Sequence, residues 1–220
     1  MIRAFLFGVV QLLLFAVLTR ADGGGFSDDF SRLNGDFWDV SSHALGRGRL
    51  EPSNVGVEDG DLVITIPART LNGGEIATKG FYGYGTYSAR IRVPEAPGSI
   101  TGFFLYKSPD YQSEIDVEIY NDHSRRILFT TYAGGSQTNT REVRLPFDPT
   151  RGFHEYSFRY APDSVGFCVD GEPLQRFGEG LPGNPMHLMI NAWFPTWLRG
   201  RPPRHDARLY VDYISYDPGR

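Results

Sequence analysis

Along most of the chain apolar and polar side chains alternate with a period of two, and no stretch sustains the apolar spacing at three and four that marks a helix. The clearest predicted strands are Asp61 to Ile66, Thr86 to Val93, Thr101 to Tyr106, Ser113 to Tyr120 and Ile127 to Tyr132. His154 to Tyr160, Val165 to Val169, Met186 to Trp193 and Leu209 to Tyr216 follow. Between them stand turn signals: Glu58-Asp59-Gly60-Asp61, Asn72-Gly73-Gly74, Pro97-Gly98-Ser99, Ala133-Gly134-Gly135 and Asp170-Gly171. Many short strands at such spacing predict an all-β sandwich or jelly roll. No internal repeat or low-complexity tract interrupts the pattern.

The N-terminus departs from it. Met1-Ile2-Arg3 is cationic, Ala4 to Leu18 is apolar apart from Gln11, and Thr19-Arg20-Ala21 offers small residues for cleavage after Ala21. Residues 1–21 are therefore expected to be an export signal, 22–25 a flexible leader, and 26–220 one domain of a secreted protein, extracellular, periplasmic or wall-associated. The apolar run is about 15 residues, short of the ~20 that cross a bilayer, so a retained anchor is the alternative reading and no membrane contact is expected after cleavage. With 220 residues in all, of which 40% are apolar and 22% charged, a single ordinary core is expected.

Charge and cysteine content narrow the chemistry. A formal net charge of −4 leaves no basic surplus for phosphates, so nucleic acid is not an expected partner. The single cysteine, Cys168, excludes an intrachain disulfide and is expected to be a small buried side chain within its strand. His43, His123, His154, His187 and His205 are scattered and expected to be structural or exposed. No paired Cys or His sets suit zinc, no glycine-rich phosphate loop precedes a helix, and no G-x-S-x-G elbow is present.

One strand carries a candidate chemistry. In Ser113-Glu-Ile-Asp-Val-Glu-Ile-Tyr120, alternation puts Ile115, Val117 and Ile119 on one face and Glu114, Asp116 and Glu118 on the other. Like charges side by side repel, so a purely structural strand gains nothing from this arrangement. The Cα atoms of Glu114 and Glu118 are expected roughly 13 Å apart, and converging side chains would bring the carboxyls near the ~5–5.5 Å of retaining glycosidases. The same pattern would also suit a solvated acidic face or a divalent-cation site.

Beyond the spacing, Glu114-Ile-Asp-Val-Glu118 resembles the active-site strand of the family-sixteen glycoside hydrolases, the group of lichenases, laminarinases and xyloglucan endotransglycosylases. Gly80-Phe-Tyr-Gly-Tyr-Gly-Thr-Tyr87, Gly102-Phe-Phe-Leu-Tyr106, Val169-Asp-Gly171, Met189-Ile-Asn-Ala-Trp193 and Tyr210-Val-Asp-Tyr-Ile-Ser-Tyr216 extend the likeness, in order, over roughly 26–217. The resemblance implies a concanavalin-like β-jelly roll of two curved antiparallel sheets with an open concave cleft. It implies Glu114 as nucleophile, Asp116 as assisting carboxylate and Glu118 as acid/base of a retaining endo-β-glucanase of the lichenase branch. One residue between Asp116 and Glu118 favours that branch.

The resemblance also implies sugar contacts from Glu75, Phe104, Tyr106, Asn191 and Trp193, with Tyr132 and Trp197 as further cleft candidates. It implies no organic cofactor, but a structural calcium at Gly60 and Asp212. A polysaccharide is the expected partner, and the protein is expected to be a monomer. Alternatives within the resemblance are a transglycosylase or an exopolysaccharide depolymerase, and outside it a carbohydrate-binding jelly roll without turnover. Two departures stand out: Gln112 where lichenases carry Trp, and Ala77 where they carry Arg. Arg47-Gly-Arg49 and Arg199-Gly-Arg201-Pro-Pro-Arg204 would suit an acidic polysaccharide or solvated loops.

Overall fold

In a computed structural model of the chain, residues 24–219 are described, with the backbone of residues 19–20. The predicted export signal and the start of the leader otherwise lie outside the described residues. Two large antiparallel sheets face each other, one of nine strands and one of seven, and a small hairpin of His43–Leu45 and Gly48–Leu50 stands apart. Among the described residues the only helical segment is a single 3-10 turn, Pro52–Asn54.

The seven-stranded sheet holds the acidic strand near its middle. Its spatial order is Ser136–Arg144, Arg126–Ala133, Ser113–Tyr120, Ile100–Lys107, His187–Trp193, Gly74–Thr78 and Trp38–Val40. The path of the nine-stranded sheet runs Thr19–Arg20, Phe26–Asp28, Ala207–Asp217, Gly85–Arg92, His154–Ala161, Ser164–Val169 and Glu172–Phe177. Off that path, Val55–Glu58 pairs with Asp61–Ile66, which pairs in turn with the Ala207–Asp217 strand.

Period-two burial explains how the sheets meet. From one side Ile115, Val117, Ile119, Phe103, Leu105, Leu188 and Ile190 enter the core; from the other come Tyr87, Ala89, Ile91, Tyr156, Phe158 and Phe167. The rings interlock across the interface, with Phe103 against Phe158 at 5.4 Å and Phe129 stacked on Phe167 at 4.6 Å. Such pairs add about 0.5–1.5 kcal/mol beyond the area they bury.

Two readings of the sequence need correction. Cys168 is only half-buried, because Phe167 and Val169 take the inward positions and leave their neighbour on the outer face. Asn72-Gly73-Gly74 is not a reversal: Gly74 opens the Gly74–Thr78 strand, and Gly73 lies so close to the neighbouring backbone that a Cβ would meet the Ala192 carbonyl oxygen at 1.7 Å. By contrast, Asp59 and Gly60 both take positive φ between the paired Glu58 and Asp61, the geometry of a tight two-residue hairpin.

Candidate active site

The outer face of the seven-stranded sheet is built in rows, because antiparallel register places residues of one parity side by side. One row runs Leu128, Glu118, Gly102, Asn191, Glu75. The next runs Thr130, Asp116, Phe104, Met189, Ala77, and the third Tyr132, Glu114, Tyr106, His187. Over them lies a cleft of about 590 Å³, lined by Glu114, Asp116, Glu118, Glu75, Phe104, Tyr106, Tyr132, Asn191, Trp193 and Trp197. All ten cleft residues singled out from the sequence therefore share one concavity.

Within the acidic strand Asp116 is only 5% exposed, while Glu114 and Glu118 reach further into the cleft. Burial and the charges of both glutamates hold the Asp116 carboxyl well above the usual range. A hydrogen bond to Glu114 acts in the same sense on Asp116 and in the opposite sense on Glu114, so the shared proton sits on Asp116. Burial lifts Glu114 to about 7, with Asp110 adding to the rise. Glu118 is lifted further, to about 8, by burial and then by the charge of Glu114. The two carboxyls are thus electrically coupled but unequal, the weaker acid being Glu118.

A second polar group flanks them. Glu75 is buried, its carboxylate accepting from the Ser41 hydroxyl at 2.6 Å and the Asn191 amide at 2.8 Å. The Asn191 side-chain oxygen in turn accepts from the Gly102 amide at 3.2 Å, directly beside Glu118. A Cβ on Gly102 would stand 2.7 Å from that oxygen, so glycine keeps the Glu118-to-Asn191 interval open.

Aromatic surfaces border the acids on both sides. Trp197 is 51% exposed and edge-on to Tyr120 at 6.1 Å, and the Arg126 guanidinium lies over Tyr120 at 3.9 Å. At the opposite border Tyr111, 53% exposed, packs on Tyr132 at 5.1 Å, and the Tyr106 hydroxyl donates to Asp110 at 2.6 Å. Tyr111 supplies an aromatic surface one position before Gln112, which does not line the cleft. The cleft residues Tyr111, Asp110 and His43, and Ser41 behind Glu75, are not singled out by the sequence. Only Tyr111 carried a signal, an aromatic next to the position where one was expected.

The remaining candidates lie elsewhere. Gly60 sits in the tight hairpin, and the Asp212 carboxylate, on the Ala207–Asp217 strand, is engaged by the Arg90 guanidinium. Asp61 is close enough to Asp212 for its carboxyl to be raised by burial and by that charge, while Arg92 and Arg90 act against the rise. The Asp212 carboxylate thus already has a cationic partner in Arg90. Among the described residues no cluster of three or more His, Cys, Asp or Glu is arranged to hold a metal. Nor do Arg47 and Arg49 face a ligand: Arg47 donates to the Leu198 and Gly200 carbonyls at 3.0 and 2.7 Å, and Arg49 pairs with Glu51.

Comparison with known proteins matches residues 48–214 to the model for glycosyl hydrolases family 16. A beta-glucanase of Acetivibrio thermocellus is 28% identical over 204 residues, covering 86% of this chain but only 61% of the relative's length. A beta-glucanase of Bacillus subtilis is 28% identical over 222 residues, covering 92% and 91%. Among solved structures, a native glycosidic hydrolase superposes with a TM-score of 0.81 at 26% identity, over 93% of this chain and 99% of that one. The Bacillus licheniformis beta-glucanase shares the fold, with a TM-score of 0.82 at 23% identity over 90% and 100%.

Proposed function

Because the chain belongs to glycosyl hydrolases family 16, we propose that it is a secreted, retaining endo-β-glucanase acting on β-1,3-1,4-glucan or a closely related β-linked polysaccharide. The observation that carries this reading is the placement of two coupled glutamates four positions apart on one strand, facing one cleft with Asp116 between them. With Glu118 lifted to about 8 and Glu114 to about 7, near neutral pH Glu118 is mostly protonated while Glu114 is partly ionised. Retaining hydrolysis needs one group of each kind.

In the first step Glu114 attacks the anomeric carbon, and Glu118 gives its proton to the departing oxygen. Asp116 donates its hydrogen bond to the Glu114 carboxylate and fixes that oxygen's direction. Once Glu114 is esterified its charge is gone, and with it part of what lifts the Glu118 carboxyl. Glu118 then accepts a proton from water, which attacks the same carbon from the side the leaving group vacated; the bond to Glu114 breaks and Glu114 departs as the free carboxylate. The products are a shortened glucan and a new reducing end. Asn191 and Glu75 offer hydroxyl partners beside Glu118, and Tyr111, Tyr132 and Trp197 offer ring faces for pyranose stacking. The reaction requires no organic cofactor, and no calcium-dependent step enters this reading.

Glu114→Gln and Glu118→Gln should each lower kcat on mixed-linkage glucan by about 10²–10⁴-fold or more, as expected for loss of a proton-transfer or nucleophilic group. Reducing-end release from barley β-glucan measures this. Near-normal turnover in both variants would discard the assignment.

A further inference from the structure

Beyond the cleft, the segment that carries Trp193 and Trp197 continues into a second groove of about 590 Å³ lined by Arg69, Arg201, Pro202, Pro203, Arg204 and His205. Arg69, Arg201, Arg204 and the adjoining Arg199 are exposed, and among the described residues their side chains form no ion pair or hydrogen bond. Asp206, next in the chain after His205, has its carboxylate on the Ala68 amide at 2.8 Å, and Glu58 pairs with Arg208. In a chain of formal net charge −4, this groove therefore holds a concentrated positive field.

The segment bearing these arginines is firmly held. Arg47 binds the Leu198 and Gly200 carbonyls, the Pro203 carbonyl accepts from the Arg69 amide at 2.8 Å, and Gly200 packs against Gly98 so tightly that a Cβ would meet its Cα at 2.6 Å. Two consecutive prolines stiffen it further. Guanidiniums brought together on a fixed scaffold gain nothing from one another, whereas a carboxylate presented to them is bound in a fork geometry. Arg201 follows Trp197 by four residues, so its Cα lies at most roughly 14 Å from that of the tryptophan. A polymer leaving the cleft past Trp197 passes within reach.

We propose that this groove binds carboxylate groups carried by a polysaccharide whose backbone occupies the cleft, so that the protein favours an acidic β-linked glycan over the neutral one. The proposal rests on the hydrolase reading for what fills the cleft, but its test is a binding measurement. Barley β-glucan oxidised to carry C6 carboxylates and its unmodified parent are titrated into the turnover-blocked Glu114→Gln protein, with and without Arg69→Asn, Arg201→Ser and Arg204→Ser together. Asparagine is chosen at 69 because that residue has a φ of 63°.

The oxidised glucan should bind about tenfold more tightly than its parent, from several solvent-exposed ion pairs acting together. The advantage should vanish in the triple variant, and also at roughly 0.5 M NaCl, where screening shortens to a few ångströms. Equal binding of the two glucans, or an advantage that survives the triple substitution, overturns the proposal. So does sodium polyglutamate binding as tightly as oxidised glucan, which would mark a general anion patch. Reducing-end release by the unmodified protein separates the two readings. Absence of turnover on any glucan with arginine-dependent binding intact removes the hydrolase reading alone; normal turnover without arginine dependence removes this one alone.

Discussion

Gly102 occupies the most crowded point between the two polar groups of the cleft, with Glu118 on one neighbouring strand and Asn191 on the other. Alanine there would press on the Asn191 oxygen and on the Phe104 ring, which would lie 3.2 Å from the added carbon. Gly102→Ala should cost about 1–3 kcal/mol of stability through overpacking and lower kcat/KM by about 10- to 100-fold through displaced side chains. Thermal unfolding alongside glucan hydrolysis checks both, and a variant with unchanged kcat/KM would deny Gly102 a positioning role. The three acids of the same row system were legible in the sequence because a strand that lines up like charges bears a cost that folding alone does not repay. The Ser41–Glu75–Asn191 network was less so. Its members are far apart in the chain and meet only through strand order, so Glu75 and Asn191 emerged from a family likeness and Ser41 not at all.

At the level of elements, the strands that feed the core stand close to where alternation puts them, since burial of one face dictates the pattern. Ser136–Arg144 escaped notice because it is an edge strand with almost every side chain exposed, so no hydrophobic rhythm marks it. Glu172–Phe177, at the edge of the other sheet, buries only Phe177 and so shows no alternation either. Loops are governed differently: Arg47 ties the His43–Leu50 hairpin to the segment carrying Trp197 through contacts to backbone carbonyls, which leave no trace in composition. Arg47→Ala should free that segment, raising KM for glucan by up to about tenfold, the order of two charge-assisted hydrogen bonds weakened by partial exposure. The kcat should change less, and faster amide exchange over 196–200 would report the loosening. An unaltered KM would show that Trp197 is held by other means.

For the molecule as a whole, the reactive carboxyls and the stability of the fold pull in opposite directions. Glu114, Asp116 and Glu118 all have folded-state affinities for protons above those of an unfolded chain. Folding is therefore favoured below the ordinary carboxylate range near pH 4 and progressively penalised as the pH climbs through 7 and 8. Glu118→Gln, inactive by the reasoning above, should melt several degrees higher than the parent protein at pH 9, with the gap closing towards pH 4. Scanning calorimetry across that interval decides it; a gap that is constant or largest in acid would contradict the proton affinities described.

The strand from Ser113 to Tyr120 makes the whole design a question of odd and even. From Glu114 to Ile119 the odd-numbered side chains are grease and the even-numbered ones are tools. Adding or losing one residue partway along would send acids inward and isoleucines outward beyond that point, whereas a change of two would keep the assignment and alter only reach. In this protein, cohesion and reactivity are therefore inherited together, as a single count along one ribbon.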